Sequence, residues 1–83
     1  MSEQWLRCVV AEGVFSDESV IVLTTLAGEK VSAFVPSDAV ERIDEQAGRV
    51  KVRVFEDKGK RWAVLPDATS TLITIADEDL VPA

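Results

Sequence analysis

The sequence predicts an all-β protein: a small barrel of five to six short strands with one or two short helical turns. Two observations carry this. Apolar and β-branched runs recur every few residues, as in Val20–Leu26, Lys30–Val35, Arg49–Phe55 and Thr71–Ala76, and turn-forming residues punctuate them. Only the segment Asp38–Gln46 and its flank place apolar residues (Val40, Ile43, Ala47) at helical spacing. Six short strands in so short a chain resolve their edge problem by closing, fully or nearly, into a barrel.

In chain order, Trp5–Glu12 mixes apolar and polar residues with β-branched ones at its end and reads as a strand. Gly13–Ser19 is a loop rich in turn formers. Val20–Leu26 is nearly continuously apolar at its start, which suits a strand covered on both faces or at an oligomer interface. Ala27-Gly28-Glu29 turns the chain back into Lys30–Val35 as a hairpin partner. Pro36 ends that strand, because it cannot donate to a ladder. A helix or a single helical turn then follows over Asp38–Gln46, with Asp38 and Glu41 spaced as a capping box and Gly48 as its closing residue.

Arg49–Phe55 is the clearest strand, with Val50, Val52 and Val54 alternating with Lys51, Arg53 and Phe55. Its return offers two registers. A two-residue Lys58-Gly59 turn pairs Val54 with Ala63 and Phe55 with Trp62. A three-residue Asp57-Lys58-Gly59 loop pairs Val54 with Trp62 and Val52 with Val64. The second gathers the bulky residues on one face and is the preferred expectation. It leaves Lys51, Arg53, Phe55, Arg61 and Ala63 on the outer face. Pro66–Ser70 is a loop, Thr71–Ala76 the last strand, and Asp77–Leu80 a closing helical turn.

The two halves echo one another. Phe34-Val35-Pro36-Ser37-Asp38-Ala39-Val40 aligns with Thr74-Ile75-Ala76-Asp77-Glu78-Asp79-Leu80. A duplication explains this, and so does a shared need for the same stop signal, which is the simpler reading. The stretch Phe34–Glu41, a strand running into Pro-Ser and a short turn, resembles the end of an SH3 domain. That resemblance implies a small SH3-like barrel. It does not bring proline-rich ligand binding with it, because the chain has no tyrosine and Ala39 stands where the family's groove tyrosine would fall.

Eighty-three residues are read as one domain, 1–83, whose core is thin: a chain of this size buries only roughly 60% of its unfolded surface. Histidine is absent, which removes serine–histidine and cysteine–histidine pairs. One cysteine, Cys8, cannot build a zinc ribbon or a disulfide framework and reads as a small core hydrophobe. The four glycines are scattered and form no phosphate loop. Asp77-Glu78-Asp79 lacks the spaced ligands and glycine of a calcium loop. No catalytic, cofactor or metal site is expected. No signal peptide or membrane span is visible, and the expected compartment is the cytoplasm.

The charge is unevenly spread. Net charge is −6, yet six of the nine basic residues lie in 49–61 with only Glu56 and Asp57 as acids. Cations beside an aromatic on one strand face suit docking onto an acidic protein or holding nucleic acid. The expected partner-binding residues are Lys51, Arg53, Phe55 and Arg61. The expected function is a non-catalytic protein–protein interaction or regulatory module, with self-association as a further mode. A single-stranded nucleic-acid-binding barrel using 49–61 is the first alternative, disfavoured by the acidic body. An acidic mimic of nucleic acid is the second, with Asp38, Glu41, Asp44 and Glu45 along one helix face.

Overall fold

The computed structural model describes residues 2–11 and 17–81. These form eight strands: β1 (Ser2–Ala11), β2 (Glu18–Thr24), β3 (Lys30–Pro36), β4 (Val40–Arg42), β5 (Ala47–Asp57), β6 (Lys60–Val64), β7 (Leu72–Thr74) and β8 (Leu80–Val81). Two 3₁₀ turns, Ser37–Ala39 and Asp77–Asp79, are the only helical elements among the described residues. The sheet order is β3-β2-β1-β5-β6-β7, every pairing antiparallel, and the sheet curls into a half-barrel. Two short strands complete it: β4 pairs with β5, and β8 with β1.

Strand alternation sorts side chains onto two faces. The inner face of β1 carries Leu6, Cys8 and Val10, and that of β5 carries Val50, Val52 and Val54, all buried. Ile21, Leu23, Ala33 and Val35 join from β2 and β3; Ala63, Leu65, Ile73 and Ile75 join from the other half. Among the described residues no polar or charged residue is buried in this core. Each buried Val, Leu or Ile contributes roughly 1.5–3 kcal/mol relative to exposure, so the interior depends on a continuous aliphatic layer.

The halves are structurally equivalent. Val9 opposite Val22 matches Arg53 opposite Val64; Val20 opposite Phe34 matches Trp62 opposite Thr74; Val40 opposite Val50 matches Leu80 opposite Leu6. Leu6 and Val50 also face one another, so a pseudo-twofold axis passes between them. Under it, the buried hydrophobic residues pair off without remainder: Leu6 with Val50, Cys8 with Val52, Val10 with Val54, Ile21 with Ala63, Leu23 with Leu65, Ala33 with Ile73, Val35 with Ile75. A shared stop signal would account for the echo at Ser37 and Asp77 alone. The equivalence instead runs through every strand.

Several expectations are corrected. The segment Asp38–Gln46 is not a helix. Ser37–Ala39 makes one 3₁₀ turn, Val40–Arg42 is a strand, and a bend follows in which the Asp44 carboxylate accepts from the Gln46 and Ala47 amides. Asp38 makes no side-chain cap, and the acids that would have lined a helix face are dispersed. Gly48 closes no helix. It lies within β5, where an added Cβ would fall 2.5 Å from Val10 Cγ2 and 2.9 Å from the Glu41 carbonyl oxygen. The β5–β6 hairpin takes the two-residue turn: Asp57 faces Lys60, with Lys58 at φ 53° and Gly59 at φ 75°, the primed geometry that follows strand twist. Val54 therefore pairs with Ala63, which is buried, and Phe55 with Trp62 on the outer face. Grouping bulky residues on one face misled because the crowded inner face takes a small residue at 63. Ile21 and Leu23 of the apolar run in β2 belong to the core, and Val20 and Val22 are partly buried on the other face. The first strand begins earlier than expected, at Ser2, and Glu12 and most of the following loop lie outside the described residues.

Candidate interaction surface

The outer face of β1 and β5 is built from the odd-numbered residues of both strands. Directly opposite one another are Glu3 and Arg53, Trp5 and Lys51, and Arg7 and Arg49. The face continues onto β6 through Phe55 opposite Trp62 and Arg53 opposite Val64. Lys51, Arg53 and Phe55 thus share one surface, as expected from their alternation. Four cations (Arg7, Arg49, Lys51, Arg53) and three aromatics (Trp5, Phe55, Trp62) meet there.

Arg61 is elsewhere. It faces Glu56 on the opposite side of the sheet from Phe55, because the shorter turn shifts β6 by one residue and each one-residue slip exchanges the faces. Its guanidinium binds Asp77 at 3.0 Å and Glu56 at 3.6 Å, tying the second 3₁₀ turn to β6. The equivalent contact in the first half is the Ser19–Ser37 hydroxyl pair at 3.0 Å. Arg61 thus projects from the opposite side of the sheet to Lys51, Arg53 and Phe55 and meets Phe55 only along an open groove at the strand ends, with Ser2, Gln4 and Glu56.

Trp5, Arg7, Arg49 and Trp62 join the surface without having been singled out. Arg49 lies within the basic stretch, but its role depends on β1 arriving beside it. The Arg49 guanidinium sits 4.6 Å from the centroid of Trp5, with the Lys51 ammonium at 5.9 Å. Such cation–aromatic contacts contribute about 0.5–2 kcal/mol. Arg49 also pairs with Glu41 of β4 at 3.0 Å, and Lys51 reaches Glu3 at 3.8 Å. Among the described residues the Arg49 Nε is buried without a hydrogen-bond partner. Among the described residues, neither Arg7 nor Arg53 has an ion-pair partner. Arg7 lies directly opposite Arg49, a like-charge cross-strand pair in which Glu41 offsets the Arg49 charge alone.

The remaining chemistry-bearing groups have structural surroundings. Cys8 is in the core, and burial pushes its thiol up to about 11, so it carries no thiolate at neutral pH. Among the described residues no three acids or thiols converge as a metal site. Burial tends to raise the Asp67 carboxyl, but hydrogen bonds from the Thr71 hydroxyl and amide and from the Thr69 hydroxyl hold it low. Asp44 is held low by the amides of Ala47 and Gln46. No described helix is long and apolar enough to cross a membrane. Comparison with protein families, curated proteins and solved structures found no match for this chain.

Proposed function

We propose that the chain is a non-catalytic interaction module whose cationic–aromatic outer face docks onto an acidic surface of another protein in the cytoplasm. The carrying observation is that Arg7 and Arg53 have no ion-pair partner among the described residues, while they share one face with Arg49, Lys51, Trp5, Phe55 and Trp62. A carboxylate-bearing partner would neutralise Arg7 and Arg53 and bury aromatic area beside them, the combination that concentrates binding energy at interfaces. Protein is favoured over nucleic acid because the Trp5 ring already carries the Arg49 guanidinium and Phe55 and Trp62 are each only partly exposed, which suits burial of aromatic area at a protein interface better than base stacking.

The test is capture from the host's lysate with the immobilised protein and with an Arg7→Glu/Arg53→Glu double variant, before and after nuclease. The expected result is an acidic protein retained in stoichiometric amount after nuclease and lost from the folded variant. A nuclease-sensitive catch would transfer the face to nucleic acid. Equal capture by both proteins would refute the site.

A further inference from the structure

The half-barrel has two outer edges, β3 and β7, which the pseudo-twofold axis makes equivalent. They are finished differently. On β7, the Thr74 carbonyl accepts a hydrogen bond from the Leu26 amide at 3.0 Å, delivered by the β2–β3 turn of the other half. The residue equivalent to Thr74 is Phe34, and the one equivalent to Leu26 is Ala68. No backbone hydrogen bond joins them among the described residues. The direction of the free groups follows from the ladder. Thr25 donates to the Glu29 carbonyl and Ser37 to the Asp17 carbonyl, extending a register in which the odd-numbered positions of β3 bond to β2. Antiparallel alternation therefore turns the amides and carbonyls of Ser32 and Phe34 outward.

Beside this edge lies a groove of about 400 Å³. Its walls are Phe34 and Pro36 on one side and Pro66, Asp67 and Ala68 on the other, with Asp17 and Glu18 at the Pro36 end; the Asp67 carboxylate is held by Thr69 and Thr71. Phe34 is 56% exposed. No basic residue lines the groove, and neither Asp17 nor Glu18 has an ion-pair partner among the described residues. Lys30 stands at the other end of β3, opposite Thr24.

We infer that β3 receives an extended segment of a partner protein by strand addition, its basic end against Asp17 and Glu18 and its apolar side chains against Phe34 and Pro66. Main-chain bonds to Ser32 and Phe34 supply affinity, and the alternate side chains supply choice. The charge order sets polarity. An antiparallel segment begins at Pro36 and ends at Lys30, so it reads basic first and acidic last. This surface is separate from the cationic outer face and would be recognised by ligands of opposite charge.

The experiment titrates the 83-residue chain, ¹⁵N-labelled, with the capped heptapeptide Lys-Val-Thr-Val-Thr-Val-Glu, as long as β3 itself. Its reversed sequence and a version N-methylated at alternate residues serve as controls. The expected result is saturable shifts at Ser32 and Phe34, with affinity at least about tenfold weaker for both controls and for Asp17→Lys/Glu18→Lys. Shifts confined to other residues, or equal affinity for the N-methylated peptide, would overturn the proposal. So would a homodimer of the free protein that Phe34→Lys dissociates, because the edge would then belong to a second copy.

Discussion

Gly48 offers the sharpest check on the packing between the halves. It lies on the inner side of β5, and β4 covers it through the Arg42–Gly48 and Glu41–Arg49 pairs. An alanine Cβ there would meet Val10 Cγ2 at 2.5 Å and the Glu41 carbonyl oxygen at 2.9 Å. Val10 can rotate, but Glu41 is backbone fixed by its own pairing. Overpacking of this kind costs about 1–3 kcal/mol. Replacing glycine returns about 0.4–1 kcal/mol through the unfolded chain. The net expectation is a loss of about 1–2 kcal/mol, out of the roughly 4–12 kcal/mol typical of this length. Urea unfolding of Gly48→Ala measures it directly, and the same change lowers Tm by about 5–10 °C. Hydrogen exchange at Glu41 and Ile43 should quicken, because the odd-numbered amides of this ladder bond to β5 and β4 must lift to admit the methyl. If Val10 is one of the two obstacles, Gly48→Ala and Val10→Ala together should cost less than their sum by at least about 0.5 kcal/mol. Undiminished stability in Gly48→Ala, or strict additivity in the double variant, would refute the steric account.

Other outcomes follow from the same geometry. Lys58→Asn should stabilise the protein by about 0.5 kcal/mol in urea unfolding, since asparagine accepts the left-handed backbone that Lys58 adopts at φ 53°. Arg61→Met should cost about 0.5–1 kcal/mol, and less in high salt, whereas Ser37→Ala, which removes the equivalent neutral contact, should show no such salt dependence. The Cys8 thiol should react with a disulfide reagent only on unfolding. Its pKa is raised in the fold, so its contribution to stability is whole below the ordinary value of 9.0 and is lost as pH rises through about 11, which alkaline urea titrations can follow. Asp67 is held low, so its contribution is present above the ordinary carboxylate range and lost as pH falls through its depressed value. Asp67→Asn should cost about 1 kcal/mol at neutral pH, and its deficit should shrink in acid.

The alternation Val50-Lys51-Val52-Arg53-Val54-Phe55 determined by itself that β5 is a strand with one buried and one cationic face, because a pleated strand has a period of two whatever it packs against. Pro36 and Gly28 likewise marked their turns from local backbone chemistry, whereas at Lys58-Gly59 the sequence located the turn but not its length. The matching segments at Ser37 and Asp77 carried a trace of the repeat. What the sequence left open were relations between distant strands. Trp5 lies 44 positions before Arg49, and only the pairing of β1 with β5 places its ring beneath that guanidinium. The face of Arg61 turned on a single residue of register, a choice decided by which of Ala63 and Trp62 fits against the Val54 side of the core. The unequal edges, β7 bonded to Leu26 and β3 without a matching bond at Phe34 among the described residues, arise because curling brings each half's turn against the other half's outermost strand. That approach depends on the whole sheet, and no local stretch of sequence encodes it.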